Sequence, residues 1–422
     1  MKKYTIEDVS KLTKLSQKTI RRHIAGKSLL AVKVSNRWMI DEKDYSDWVE
    51  SNYRENIMTD SEVFHNTLGS ETALEAEFID VSDLWHIDAW KKKEEINGLN
   101  FIDLFSGAGG LSLGMVMAGF NPIASVEIMD QAVETYKYNF IDIGGFNEYV
   151  ESKDIRDKQT KKDLYDSVKG KSVDVIVGGF PCQGFSMAGN RIVTDERNTL
   201  YLDMLEIVTN LKPKFVVMEN VEGLRSMLDG KIEEKIVEDF RKAGYNLSVA
   251  TLNAADYYTP QKRKRVIFIG NRINLTTYHP APILKEEEYI TLGQAIGDLV
   301  KMKDSKSFNH ITSNHSVEMQ KRLKAVPEGK SLYGGYSDAW KKSPWDKPSC
   351  TIKENHGGVN IHPKLPRVIT AREMARLQSF PDDFIFKGSK KWQLVQIGNA
   401  VPPNLGKAIG LAIIKSIKKE EH

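Results

Sequence analysis

The sequence predicts an α/β protein with a small helix-turn-helix unit ahead of it, and three observations carry that prediction. From Asn100 onward, short apolar runs that read as strands alternate with segments of helical period. The first run, Phe101 to Phe105, passes through Ser106-Gly107-Ala108-Gly109-Gly110 into a helix from Leu111 to Ala118. A later run, Val173 to Val177, is stopped by Gly178-Gly179 and sets Phe180-Pro181-Cys182-Gln183-Gly184-Phe185-Ser186 at a strand mouth. Open α/β sheets place their chemistry at such strand ends.

Composition bounds the reading. At 422 residues, 41% hydrophobic and 28% charged, the chain is long enough for two or three domains with a large core. Its two cysteines, Cys182 and Cys350, exclude a disulfide framework and suit a reducing cytoplasm. No signal peptide and no run of membrane-spanning length is visible, so a cytoplasmic, nucleoid-associated protein is expected. The net charge of +3 hides an asymmetry. Residues 1–40 hold ten Lys/Arg against Glu7 and Asp8, whereas residues 51–98 hold four Lys/Arg against eleven Asp/Glu. A basic module followed by an acidic segment suggests a polyanion-binding head on a solvated linker.

The basic module, 1–50, reads in order. Thr5 caps a first helix with Asp8 at the capping-box position, and Ile6, Val9 and Leu12 share its apolar side. Ser16 caps a second helix whose polar side presents Lys18, Arg21 and Arg22. Two short apolar runs flanking Ser35-Asn36 read as a β-hairpin wing, and Asp41 opens a closing helix. A packing or dimerisation domain would show the same helices. Because the surplus charge falls on the second helix, DNA binding is the expected role. Residues 51–98 lack a core pattern and read as linker, with Trp85 and Trp90 packing on the domain that follows.

In the third region, 99–278, acids and glycines fall at strand ends. Gly107 and Gly109 leave backbone N–H groups free for a ligand, but Ser112 stands where a dinucleotide fingerprint needs its third glycine. Glu127-Ile128 closes the second strand, where an acid accepts hydrogen bonds from ribose hydroxyls, and Asp154-Ile155 follows where an acid accepts from an adenine amino group. A nucleoside without a pyrophosphate suits S-adenosylmethionine better than a nicotinamide dinucleotide. Cys182 has two readings, a small buried hydrophobe or a nucleophile. Lys214 to Met218 forms the neighbouring strand and ends in Glu219-Asn220-Val221, which brings Glu219 to the same sheet edge as Cys182. In Gln261-Lys262-Arg263-Lys264-Arg265 the two arginines point to one face of an extended segment, where they meet a phosphate or a base oxygen.

These motifs resemble, in order, those of the DNA cytosine-5 methyltransferases: Phe101 to Gly114, Pro181-Cys182-Gln183, Glu219-Asn220-Val221, Gln261-x-Arg263-x-Arg265, Arg372-Glu373-x-x-Arg376-Leu377-Gln378-Ser379-Phe380-Pro381, and Gly398-Asn399-Ala400-Val401-Pro402-Pro403. The N-terminal stretch is similar to the excisionase-like winged helix-turn-helix domains. The resemblance implies a Rossmann-like S-adenosylmethionine-dependent methyltransferase domain over 99–278, a short target-recognition region over 279–366, and a return segment, 367–422, that completes the cofactor site. It implies cofactor contacts from Phe105, Glu127, Asp154, Leu200 and Asn399, to which the residues add Gly107, Gly109, Ile128, Ile155 and Pro181. Ile128 stands where the family often carries an aromatic.

The chemistry implied is covalent. A Cys182 thiolate adds to C6 of cytosine and makes C5 nucleophilic, Glu219 serves ring N3, and Arg263 and Arg265 hold the base oxygen, a phosphate or the catalytic loop. The base must be flipped out of the duplex, and Gln183 and Ser186 clamp the vacated space. No metal is called for. The expected partners are duplex DNA with a specific target and, through the N-terminal module, a separate operator. Base readers are expected within Asn309 to Gln320 and Tyr333 to Lys342. Two other readings stay open: a tRNA cytosine-5 methyltransferase, and a transcription regulator with a vestigial enzyme fold.

Overall fold

The structure is a computed structural model. It describes residues 3–13, 17, 20, 21, 24, 29–34, 37–41, 43–45, 73–85, 98–181, 200–334, 340–353 and 360–419. The chain divides into two compact units, Met1–Ser70 and Glu71–His422.

In the first unit, β1 (Lys3–Thr5) leads into α1 (Ile6–Thr13) through a reciprocal cap. The backbone N–H of Asp8 donates to Thr5 Oγ1 at 3.1 Å, and that of Thr5 donates to Asp8 Oδ2 at 2.8 Å. Gln17, Ile20, Arg21 and Ile24 are helical, with Ile20 and Ile24 buried and Arg21 exposed. The expected wing is present as β2 (Val32–Val34) and β3 (Arg37–Asp41). β1 adds a third strand by pairing antiparallel with β3. Ile6, Val9, Ile20, Ile24, Leu29 and Ile40 make a small core of their own. Lys18 and Arg22 lie outside the described residues.

The second unit begins earlier than the sequence suggests. β4 (Glu77–Ile79) pairs in parallel with β12 (Tyr278–Pro280), Val81 is fully buried, and Trp85 stacks on Tyr258 at 5.5 Å. The second half of the expected linker 51–98 is therefore part of this unit. Trp90 lies outside the described residues.

A seven-stranded sheet forms the centre, built from β5 (Asn100–Leu104), β6 (Asn121–Glu127), β7 (Tyr149–Ser152), β8 (Val175–Gly178), β9 (Phe215–Val221), β10 (Asn246–Asn253) and β11 (Lys264–Asn271). Their order across the sheet is β10-β11-β9-β8-β5-β6-β7, and only β11 runs against its neighbours. The order reverses between β5 and β8, so a crevice opens there at the strands' carboxyl ends.

Helices cover both faces: α2 (Gly110–Met117), α3 (Asp130–Tyr136), α4 (Lys158–Ser167), α5 (Leu200–Leu211), α6 (Lys231–Lys242), α7 (Leu292–Ile296), α8 (Val317–Ala325), α9 (Ala371–Leu377), α10 (Lys390–Asn399) and α11 (Pro403–Lys418). Strand residues alternate between the two cores. Phe101, Val175 and Val217 join α2, α3, α9 and α11, while Ile102, Ile176 and Val216 join α4, α5 and α6. The return segment is locked to the first crossover by a close helix crossing. A Cβ on Gly114 would lie 2.4 Å from Pro403 O, and one on Gly410 would lie 2.7 Å from the Ala118 Cβ. The interval 279–366 does not form a unit of its own. Among the described residues, Leu292, Ile296, Leu299 and Ile352 enter the main core, and Leu323, Val326 and Ile361 make a separate small cluster. No described helix is long and apolar enough to cross a membrane.

Candidate active site

A cavity of about 480 Å³ opens at the carboxyl ends of β5, β6 and β8. Glu127 ends β6, and both its carboxylate oxygens accept backbone N–H groups, from Gly107 at 2.8 Å and Met129 at 2.9 Å. These bonds fold the glycine turn over the strand end, and burial raises the Glu127 pKa above the usual carboxylate range. Phe105, at the turn out of β5, takes a left-handed φ of 64°. Ile128 is 62% exposed and offers an apolar wall. Asp154 also faces the cavity, but Arg156 Nε lies 3.0 Å from both its oxygens and holds its pKa down.

Nine of the ten residues expected at a cofactor line this cavity: Phe105, Gly107, Glu127, Ile128, Asp154, Ile155, Pro181, Leu200 and Asn399. Gly109 does not. It caps α2 at φ 93°, and a Cβ there would strike the Phe140 ring at 2.5 Å and the Tyr136 ring at 2.9 Å. Its hydrogen atom is a packing requirement, set by the aromatic pair beneath the turn.

Asp103 is a member that strand reading passed over, although an acid inside an apolar run was a signal. It is buried in the cavity floor and accepts from Ser112 Oγ at 2.5 Å. The Tyr136 hydroxyl lies 3.0 Å from Ser112 Oγ and 3.2 Å from Glu148 Oε2. Burial pushes Asp103 up to about 7 and Glu148 to about 8.

A second cavity, of about 1050 Å³, adjoins the first, and Glu219 and Asn399 line both. Glu219 sits near the end of β9, 2.7 Å from Arg265 Nε on β11, and both side chains are nearly buried. Gly179 makes room for it, because a Cβ there would stand 3.2 Å from Glu219 Oε2. The next residue, Asn220, donates from Nδ2 to Phe180 O at 3.0 Å and so ties the root of the Pro181 loop to β9. Cys182, Gln183 and Ser186 lie outside the described residues, which stop at Pro181 and resume at Leu200.

The two arginines expected to act together have different fates. Arg265 reaches Glu219, whereas Arg263 is 3% exposed and turned inward. Its Nη1 donates to Ile352 O at 2.8 Å, and Nη2 donates to Ala400 O at 3.1 Å and Gly398 O at 3.4 Å. Arg263 precedes the first residue of β11, where the return segment crosses, so its two Nη atoms meet backbone carbonyls there while the residue still lines the second cavity. Gln261 acts alongside it, donating to Leu377 O and Gln378 Oε1 and accepting from Ile352 N–H. Together they hold the Asn399 segment against the sheet.

The expected base readers also divide. Asn309 is buried, exchanging two hydrogen bonds with the Phe386 backbone, and His310 is buried beside Thr370 Oγ1. Both belong to the framework. Cys350 Sγ lies 3.1 Å from Asn360 Nδ2.

The family model for C-5 cytosine-specific DNA methylase matches residues 99–415, and a helix-turn-helix domain model matches residues 4–53. The chain is 40% identical over 332 residues to the Type II methyltransferase M1.HphI of Haemophilus parahaemolyticus, covering 75% of this chain and 87% of that one. It is 34% identical to M.DdeI of Desulfomicrobium norvegicum, covering 74% and 87%. Among solved structures, a prophage-encoded candidate DNA modification methyltransferase from E. coli aligns with a TM-score of 0.63 at 28% identity, over 76% of this chain and all of that one. The S. pombe Dnmt2 methyltransferase aligns with a TM-score of 0.53 at 19% identity, over 77% and 100%, a likeness of fold alone. The chain belongs to the C-5 cytosine-specific DNA methylase family, as an enzyme with an N-terminal helix-turn-helix domain.

Proposed function

We propose that this protein is the methyltransferase of a Type II restriction-modification system, which methylates C5 of cytosine within a specific duplex sequence through a Cys182 adduct. The observation that carries this reading is the junction of two cavities at Glu219 and Asn399. A methyl donor in one and an extruded base in the other would meet there.

The smaller cavity fits S-adenosylmethionine. Its volume lies in the range of small-ligand sites, the Glu127 and Asp154 carboxylates stand on its wall, and Ile128 covers an apolar face. Bound there, the cofactor supplies an electrophilic methyl group on a sulfonium. The chain's own residues do the rest. Cys182 Sγ, as thiolate, bonds to C6 and pushes the ring electron pair toward C5. Glu219, oriented by Arg265, gives a proton to ring N3 as the thiolate adds. After methyl transfer, the C5 proton passes to solvent, the thiolate leaves C6, and the N3 proton returns to Glu219, which restores the ring. Asn220 sets the approach of the Cys182 loop through Phe180 O. Flipping costs a few kcal/mol, which binding to both cavities must offset.

Bisulfite sequencing of DNA from cells expressing the chain tests the reading and reports the target at once. Cys182→Ala should abolish the signal while cofactor binding persists, and a duplex with 5-fluorocytosine at the target should trap only the wild type. Normal turnover by Cys182→Ala would refute the adduct. We assign the N-terminal domain to a separate operator, with Arg21 and Arg22 among its contacts. Because residues 73–85 pack into the larger unit, the informative deletion is 1–70. Unchanged methylation sites with lost binding to the upstream promoter fragment support the assignment, and altered site choice rejects it.

A further inference from the structure

A third cavity, of about 630 Å³, shares no lining residue with the other two. Lys306, Lys387 and Lys390 line it and no acidic residue does, among the described residues. One wall comes from the 279–366 interval and the other from the return segment. Lys390 is half-buried, and its ammonium finds only a neutral partner, Ser313 Oγ at 2.8 Å. The acids that face it are engaged elsewhere. Asp304 accepts from Thr312 N–H and Oγ1, and Glu373 is paired with Arg367 at 2.6 Å. Lys387 stands over the Tyr138 ring, 3.2 Å from its centroid. Asp304 and Glu373 favour its charge from a distance and Arg367 opposes it, yet the cost of burial prevails and lowers the Lys390 pKa. An anion seated among the three lysines would remove that cost.

We infer that this cavity is a phosphate site for the backbone of bound duplex DNA, separate from the catalytic cleft. The inference rests on the DNA reading above. Two features favour backbone phosphate over a free anion. The wall residues Lys306 and Ile311 belong to the interval expected to meet the target, and α10 connects the cavity to the cofactor side. Lys390 and Gln393 line the phosphate cavity from one end of that helix, and Gln396 and Asn399 line the cofactor cavity from the other, about 15 Å along. Duplex held at one end would thus fix the helix that carries Asn399.

The test is the salt dependence of non-specific duplex binding by the full-length protein, which needs neither the target sequence nor turnover. Each phosphate contact contributes roughly 0.9 to the slope of log affinity against log salt. Lys306→Gln, Lys387→Gln and Lys390→Gln combined should flatten the slope by roughly 2 to 3, with the thermal midpoint retained. Lys242→Gln, which removes a lysine paired with Glu238 on the outer helix α6, should leave it unchanged. An unchanged slope in the folded triple variant would overturn the inference. So would loss of pyrophosphate binding in that variant with an unchanged DNA slope, since the cavity would then be a site for free anions. Bisulfite sequencing of the same proteins reports separately whether the methyltransferase reading stands.

Discussion

The two cavities that meet at Glu219 are built in different ways. Around the first, Phe105, Gly107, Glu127 and Asp154 stand at strand ends or in the turns directly after them, and the return segment adds Gln396 and Asn399. Around the second, the wall is assembled from β9, β11 and segments more than 80 residues further on, such as Thr351 and Gly398. The contrast teaches where local pattern suffices. A residue closing a parallel strand faces the crevice because the sheet leaves it no other place. A residue at the edge of β11 faces whatever crosses above it, and here that is the return segment.

The sharpest test sets Glu219 against Arg263. Glu219→Gln keeps an acceptor for Arg265 and should preserve the fold, while kcat falls by about 10²- to 10⁴-fold. Arg263→Met strips donors from the Ile352, Gly398 and Ala400 carbonyls, at about 1–3 kcal/mol for each group left unsatisfied. It should lower the thermal midpoint and weaken cofactor binding through the released Asn399 segment. A stable Arg263→Met protein with only kcat reduced would show that its guanidinium serves the substrate, and the contrast between the arginines would fail.

On the cofactor side, Glu127→Ala should raise the S-adenosylmethionine dissociation constant by roughly five- to hundredfold in calorimetry, the loss of one or two charged acceptors. Asp154→Ala should cost less, because Arg156 already occupies that carboxylate. Burial raises the Glu127 pKa, so affinity should fall on acidification at a higher pH than an ordinary glutamate would give. Equal losses for the two variants would rank the carboxylates differently.

A last effect, on stability against pH, lies beneath that cavity. Asp103 at about 7 and Glu148 at about 8 bind protons more tightly folded than unfolded. Stability should therefore fall as pH rises from the ordinary carboxylate range toward 8. Asp103→Asn with Glu148→Gln should flatten the thermal midpoint against pH over that window. If the slope survives both changes, it arises elsewhere.

Much of the fold was legible because its signals were local. The run Phe101 to Phe105 with its glycine turn, Glu127 at a strand end, and the strand stopped by Gly178-Gly179 each announced their places from their neighbours in sequence. In the N-terminal unit, Thr5 and Asp8 three residues apart were sufficient for the cap, while the pairing of β1 with β3 was not visible because three residues carry no period.

By itself the sequence determined the alternation of strands and helices, the order of the motifs and hence the family, and the acids at the mouth of the parallel strands. Only the tertiary structure decided that Glu77–Ile79 is a strand, since its partner lies about 200 residues away at Tyr278–Pro280. It alone turned Arg263 onto the return segment and Arg265 onto Glu219, and gave Gly109 to packing and Gly107 to the cavity. The physical reason is the same in each case. Strand and turn propensities act through neighbours along the chain, whereas the partner of a buried guanidinium, a short edge strand or a missing Cβ is supplied by chain that is remote in sequence.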